Sequence, residues 1–182
     1  MRLRRLEAEF PSQVHLRHRS FVLVGEERTG RVFLDYHRAH RQAAGQQDAD
    51  APRFDIPPIG HPYPRSSLPA LEAAAWVRDT QPDRFKTFDL ALFQAFFTRT
   101  EDISDPETLG RIGESCGIDS WGMRSALASG RFRPTVLQET EDAFQAGIRG
   151  IPAVVLPGRP PIVGAVRYAD LEQAVRDTLE TA

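Results

Sequence analysis

Apolar residues along this chain switch between two spacings, and the switches mark its elements. In "RLRRLEAEF", Leu3, Leu6 and Phe10 recur at helical intervals, which predicts an amphipathic helix almost from the first residue, stopped by Pro11 and Ser12. "QVHLRHRSFVLVG" alternates and then becomes continuously apolar from Phe21 to Val24. That pattern predicts a β-strand over Val14–Val24, ended by Gly25. "VFLDYHRAHRQAAG" has only a weak apolar period and predicts a second helix closed by Gly45.

From Gln46 to Ser66 the chain carries Pro52, Pro57, Pro58, Pro62 and Pro64 with little period, so an irregular loop is expected there, of a length that often carries function. Helices follow. Leu68–Asp79 forms one, and Asp83–Arg99 another, with Phe85, Phe88, Leu92, Phe93 and Phe96 on a broad apolar face. In "SDPETLGRIGESCG", Ser104 and Glu107 fit a capping box, Pro106 sits in the first turn, and Gly117 supplies the stop. Asp119 caps the next helix, which ends near Gly130, and "RPTVLQETEDAFQAG" gives one more that ends at Gly147. After this helical block, "AVVL" and "PIVGAV" flank the turn signal "PGRP" and predict a hairpin. Leu171, Val175 and Leu179 then repeat along one face of a closing helix.

Composition narrows the function classes. With 182 residues, 41% hydrophobic and 26% charged, the chain suits one globular domain, or one domain carrying an insertion, with enough apolar material for a core. Its 23 basic and 25 acidic residues leave a formal charge of -2, which gives no footprint for a nucleic-acid partner. The basic start "MRLRR" is followed by no apolar signal region, and no stretch is long enough to span a membrane. A cytoplasmic location and no membrane partner are therefore expected. A lone cysteine, Cys116, excludes an internal disulfide framework and a Cys-rich zinc site.

The last third of the chain supports a family resemblance. "AGIRGIPAVVLPGRPPIVGAV" followed by "LEQAVRDTL" resembles the C-terminal half of the DsbA-like branch of the thioredoxin superfamily, which includes FrnE-type proteins and 2-hydroxychromene-2-carboxylate isomerases. "LFQAFFTRTEDISDPETLGRIGESCGID", "ALASG" and the early "LRRLEAEFP…VHLRHRSFVL" extend the likeness over nearly the whole chain. The resemblance implies an α/β, thioredoxin-like domain formed by residues 1–31 and 148–182, with a helical domain, 32–147, inserted between its second and third strands. It also implies a cis peptide before Pro152, turning the Ile151 backbone outward to pair with an extended peptide or thiol ligand as an added strand. Proline suits that place because it cannot donate to the ladder it precedes. Gly150, Ile151 and Pro152 are thus the expected substrate-docking loop, and His61 and Tyr63 in "GHPYPR" are further candidates for substrate contact.

DsbA-like enzymes carry Cys-x-x-Cys at the start of their first helix, where unpaired N–H groups and the helix dipole stabilise a thiolate. Isomerase relatives place a Ser there and work with glutathione. Neither the motif nor the strand before it occurs in these 182 residues. The expectation is therefore a chain shortened at its N-terminus, missing the first β-strand, with the redox cysteines upstream of Met1 and no catalytic residue of its own.

Other chemistry-bearing residues have plainer readings. Cys116, in register with Leu109 and Ile112, is expected as a buried core thiol. His37 and His40 have the spacing to share a metal, but arginines flank them and a solvated helix face is expected, with no metal site. The 11 phenylalanines with Trp76 and Trp121 are expected in the core. The leading function is FrnE-like thiol-disulfide oxidoreductase acting on protein thiols and disulfides or a small thiol. The alternatives are a glutathione-dependent isomerase, with glutathione as co-substrate and no other cofactor, and a peptide-binding module without catalysis. Pairing of an exposed sheet edge would make a homodimer.

Overall fold

The helices marked by apolar spacing form, and the Asp105 and Asp119 side chains cap two of them. The computed structural model describes residues 2–47 and 53–181; residues 48–52, including Pro52 of the expected loop, lie outside the described residues. In chain order the elements are α1 (Arg2–Glu9), α2 (Asp35–Gly45), α3 (Leu68–Thr80), α4 (Pro82–Phe97), α5 (Pro106–Ser115), α6 (Ser120–Ser129), α7 (Arg133–Gln145), β1 (Ala153–Val154), β2 (Ile162–Val163) and α8 (Tyr168–Glu180). Among the described residues the sheet has two antiparallel strands, with Ala153 opposite Val163 and Val154 opposite Ile162.

Several expectations need correction. Val14–Val24 is not a strand: a strand exists only when another backbone completes its ladder, and among the described residues none does so here. Its hydrogen bonds go elsewhere, with the Ser20 N–H donating 2.7 Å to the Glu139 carboxylate and the Val24 carbonyl accepting from the Ser67 N–H. The α5 cap is Asp105 rather than Ser104. Its carboxylate accepts from the Thr108 N–H at 2.9 Å and the Thr108 hydroxyl at 2.8 Å, while Ser104 accepts from the Arg65 N–H instead. Trp121 is 80% exposed, because α6 turns Met123 and Ala126 inward and leaves Trp121 on the outer side.

The chain divides into two compact units, Met1–Phe21 with Gln138–Ala182, and Val22–Leu137. Each has its own core. In the first, Leu6 and Phe10 bury against Leu171 and Val175, with Val154, Leu156 and Ile162 of the hairpin region packed on them. Burial of each such side chain favours the fold by about 1.5–3 kcal/mol. Polar contacts surround this core. Arg5 lies 3.8 Å over the Tyr168 ring and pairs with Glu9 at 2.8 Å, and the Tyr168 hydroxyl donates to Glu9. In the second unit, α3 brings Ala70, Ala73 and Ala75 against Phe85, Phe88, Leu109, Ile112 and Met123, small residues that let helices approach closely. A Cβ on Gly113 would lie 2.9 Å from the Met123 methyl, so a side chain there would require the Met123 thioether to shift.

Candidate functional site

The loop before β1 is built from the end of α7. Gly147 has φ +80°, and its N–H donates to the Phe144 carbonyl while the Ile148 N–H reaches the Ala143 carbonyl at 2.9 Å. This paired closure of the last turn is the helix stop that glycine permits. Ile148 then buries at 7% exposure. Arg149 folds back over the Phe144 ring at 5.3 Å and donates to the Phe144 carbonyl; Phe144 in turn meets the Phe21 ring at 5.3 Å. The chain is thereby anchored on one side of Gly150.

On the other side it is anchored by the hairpin. The Ile151–Pro152 peptide is cis, and the Pro152 carbonyl accepts from the Gly164 N–H at 2.8 Å. Between these anchors Ile151 is 49% exposed, and among the described residues its backbone N–H and C=O take no hydrogen bond. Val155 and Val163 are also exposed. The loop therefore presents an unpaired backbone donor and acceptor flanked by apolar side chains, which is what an extended peptide can pair with.

His61 and Tyr63 belong to the second unit. The segment carrying them lies antiparallel to residues 31–33, with the Phe33 N–H donating to the His61 carbonyl at 2.7 Å, the Tyr63 N–H to the Arg31 carbonyl at 3.0 Å, and a bridge between Val32 and Pro62. The Tyr63 ring stacks on His37, 4.5 Å between centroids, and meets Phe96 edge-on at 5.3 Å. With Arg41, Thr100 and Glu101, both residues line a shallow depression that encloses no cavity.

The remaining candidates are accounted for locally. Cys116 is 8% exposed within the helical core. His37 accepts the Leu34 N–H on Nδ1 at 2.9 Å, and His40 Nδ1 meets the Tyr36 carbonyl at 2.8 Å. Among the described residues no group of His, Cys, Asp and Glu is placed to hold a metal, and no helix is long and apolar enough to cross a membrane. Sequence reasoning missed Arg149, whose clamp on α7 fixes the loop, and Arg41, a buried cation under the depression. Nothing local to either residue signals the role.

Residues 1–176 match the family model described as the DSBA-like thioredoxin domain. The chain belongs to the DsbA-like thioredoxin family. Solved structures share the thioredoxin-like fold of this DsbA-like chain. A candidate protein disulfide isomerase from Nitrosomonas europaea superposes with TM-score 0.72 at 21% identity, covering 99% of this chain and 87% of that one. A candidate DsbA oxidoreductase from Streptomyces coelicolor superposes with TM-score 0.76 at 21% identity, over 100% of this chain and 83% of that one. The uncharacterized protein YwbO of Bacillus subtilis is 29% identical over 117 residues, which are 64% of this DsbA-like chain. The match spans 56% of the length of that curated relative.

Proposed function

We propose that this DsbA-family chain serves FrnE-like thiol-disulfide exchange, with Gly150, Ile151 and Pro152 docking an extended, cysteine-bearing peptide. The observation that carries the reading is Ile151, exposed and with its backbone unpaired between two anchored flanks. Exchange itself proceeds by attack of a thiolate on a disulfide sulfur, forming a mixed disulfide and expelling the other sulfur as a thiolate. Cys116 does not supply that thiolate, because it is buried in the helical core. The contribution of these residues is therefore positioning: added-strand hydrogen bonds to Ile151 align the substrate disulfide. The substrate class is a protein disulfide, and the setting proposed is the cytoplasm.

The test is an amide NMR titration of the full chain with an extended peptide carrying a disulfide to a small thiol. Shifts concentrated at Gly150, Ile151 and Ala153 are expected. Shifts that map elsewhere, or none at millimolar peptide, would overturn the docking role. The absence of an accessible thiol among these residues favours a second reading, a peptide-binding module without catalysis, which predicts the same docking with no exchange. A glutathione titration moving the same amides would favour the isomerase class instead.

A further inference from the structure

His37 occupies the third position of α2, whose N-cap is Leu34. A carboxylate commonly reaches back from that position to the N-cap amide. Here the imidazole does so: Nδ1 accepts the Leu34 N–H at 2.9 Å. A nitrogen that accepts a hydrogen bond cannot also carry a proton, so the contact exists only with that nitrogen unprotonated. The other face of the ring is equally committed. It stacks on Tyr63 at 4.5 Å with 26° between planes, and lies 5.6 Å from Phe33. One side chain therefore joins the start of α2 to the segment 57–64.

Burial, and the charged side chains shown to act on the ring, oppose an imidazolium. The first turn of a helix carries partial positive charge. Arg31, from the segment that Tyr63 pairs with, and Arg41 and His40, from α2, face the ring and hold its proton affinity below the ordinary histidine range, after burial itself. Arg38 is on the same helix, and the nearby acid, Asp35, is paired with it at 3.3 Å. From the segment 57–64 the group facing it is the Tyr63 ring. Asp35 is thus engaged by Arg38, and among the described residues no carboxylate is among the charges acting on the ring.

We propose that His37 is a pH-operated latch that ties the start of α2 to the segment carrying His61 and Tyr63, closed when the imidazole is neutral and released when it is protonated. Release removes the acceptor for Leu34 and places a cation among Arg31, Arg38 and Arg41, so the cap and the Tyr63 stack are lost together. The latch stands on this geometry and not on the docking role proposed above.

The test is a pH titration of the full chain by NMR, following the His37 ring, the Leu34 amide and the Tyr63 ring. The three are expected to move with one midpoint below 6.5. His37→Gln keeps an acceptor and cannot titrate, so the Leu34 and Tyr63 changes should vanish in it, whereas His40→Gln should retain them. A His37 midpoint at or above 6.5, or a Leu34 amide that ignores the titration, would overturn the latch. Loss of the whole fold over the same range in both wild type and His37→Gln would overturn it too.

Discussion

Replacing Arg41 by Met should destabilise the helical unit by an amount that the surrounding distances set. The residue is 4% exposed, and among the described residues its partners are carbonyls: Asp55 at 2.9 Å, Phe96 at 3.1 Å and Phe97 at 3.3 Å. It thereby ties the 53–55 segment to the C-terminal end of α4, with the Phe33, Phe96 and Phe97 rings 5.0–5.4 Å from its guanidinium carbon. Arg41→Met keeps an apolar stem and deletes every donor. Phe97 retains the Asp55 N–H at 2.8 Å, so the Asp55 and Phe96 carbonyls carry the loss, at about 1–3 kcal/mol each. Lost cation–π contact adds about 1 kcal/mol. Relief from holding a cation out of water acts in the opposite direction, by up to several kcal/mol. A net loss of about 2–3 kcal/mol is expected.

Both tryptophans, Trp76 and Trp121, lie in this unit, so tryptophan fluorescence in urea reads it directly. With a slope of about 2 kcal/mol per molar, the midpoint should fall by about 1–1.5 M without a change of slope. Arg41→Lys, which keeps the charge but not the planar fork, should recover part of the loss. An unchanged or raised midpoint for Arg41→Met would refute the reasoning, because the cost of burying the cation would then equal or exceed what its hydrogen bonds contribute.

Burial tends to raise the Asp105 carboxyl, but its hydrogen bonds from Thr108 outweigh this and hold it below the ordinary range. The folded form therefore gains stability above the unfolded value of 3.8 and loses it as pH falls through the depressed value. Asp105→Ala should cost about 1 kcal/mol near neutrality and little at about pH 2, as read by paired urea curves. Burial and the hydrogen bond to Glu9 push the Tyr168 phenol up to about 12. Its contribution is full below the unfolded value of 10.0 and is lost as pH rises through about 12. Ultraviolet titration should show a phenolate step near 12 that Tyr168→Phe abolishes.

The helices were legible because their signals are local: apolar spacing, prolines in first turns, and glycines at Gly117, Gly130 and Gly147, all with positive φ. The α5 cap slipped by one residue because Ser104 and Asp105 are both good caps, and the proline at the first helical position decides for the residue before it. Val14–Val24 misled for a deeper reason. Alternation and apolar side chains record a preference for extended backbone, but strand formation depends on a partner that the segment itself does not encode. At the candidate site, the Gly-Ile-Pro loop was legible from its punctuation. Arg149 and Arg41 were not, since each acts on carbonyls supplied by other segments, and an arginine in a polar context gives no sign of burial.

The Glu139 carboxylate, which takes the Ser20 N–H at 2.7 Å and Arg19 at 2.9 Å, joins residues on either side of the whole Val22–Leu137 segment. This contact lies within the discontinuous unit, and it orders events during synthesis. The contiguous unit can complete its core while the ribosome is still adding the residues that follow it, whereas the contacts between Met1–Phe21 and Gln138–Ala182 wait for the latter to emerge. Closing so long an unstructured loop would cost more entropy than closing one already folded. The Glu139 contact therefore favours a sequence in which Val22–Leu137 folds first and the residues flanking it pair last.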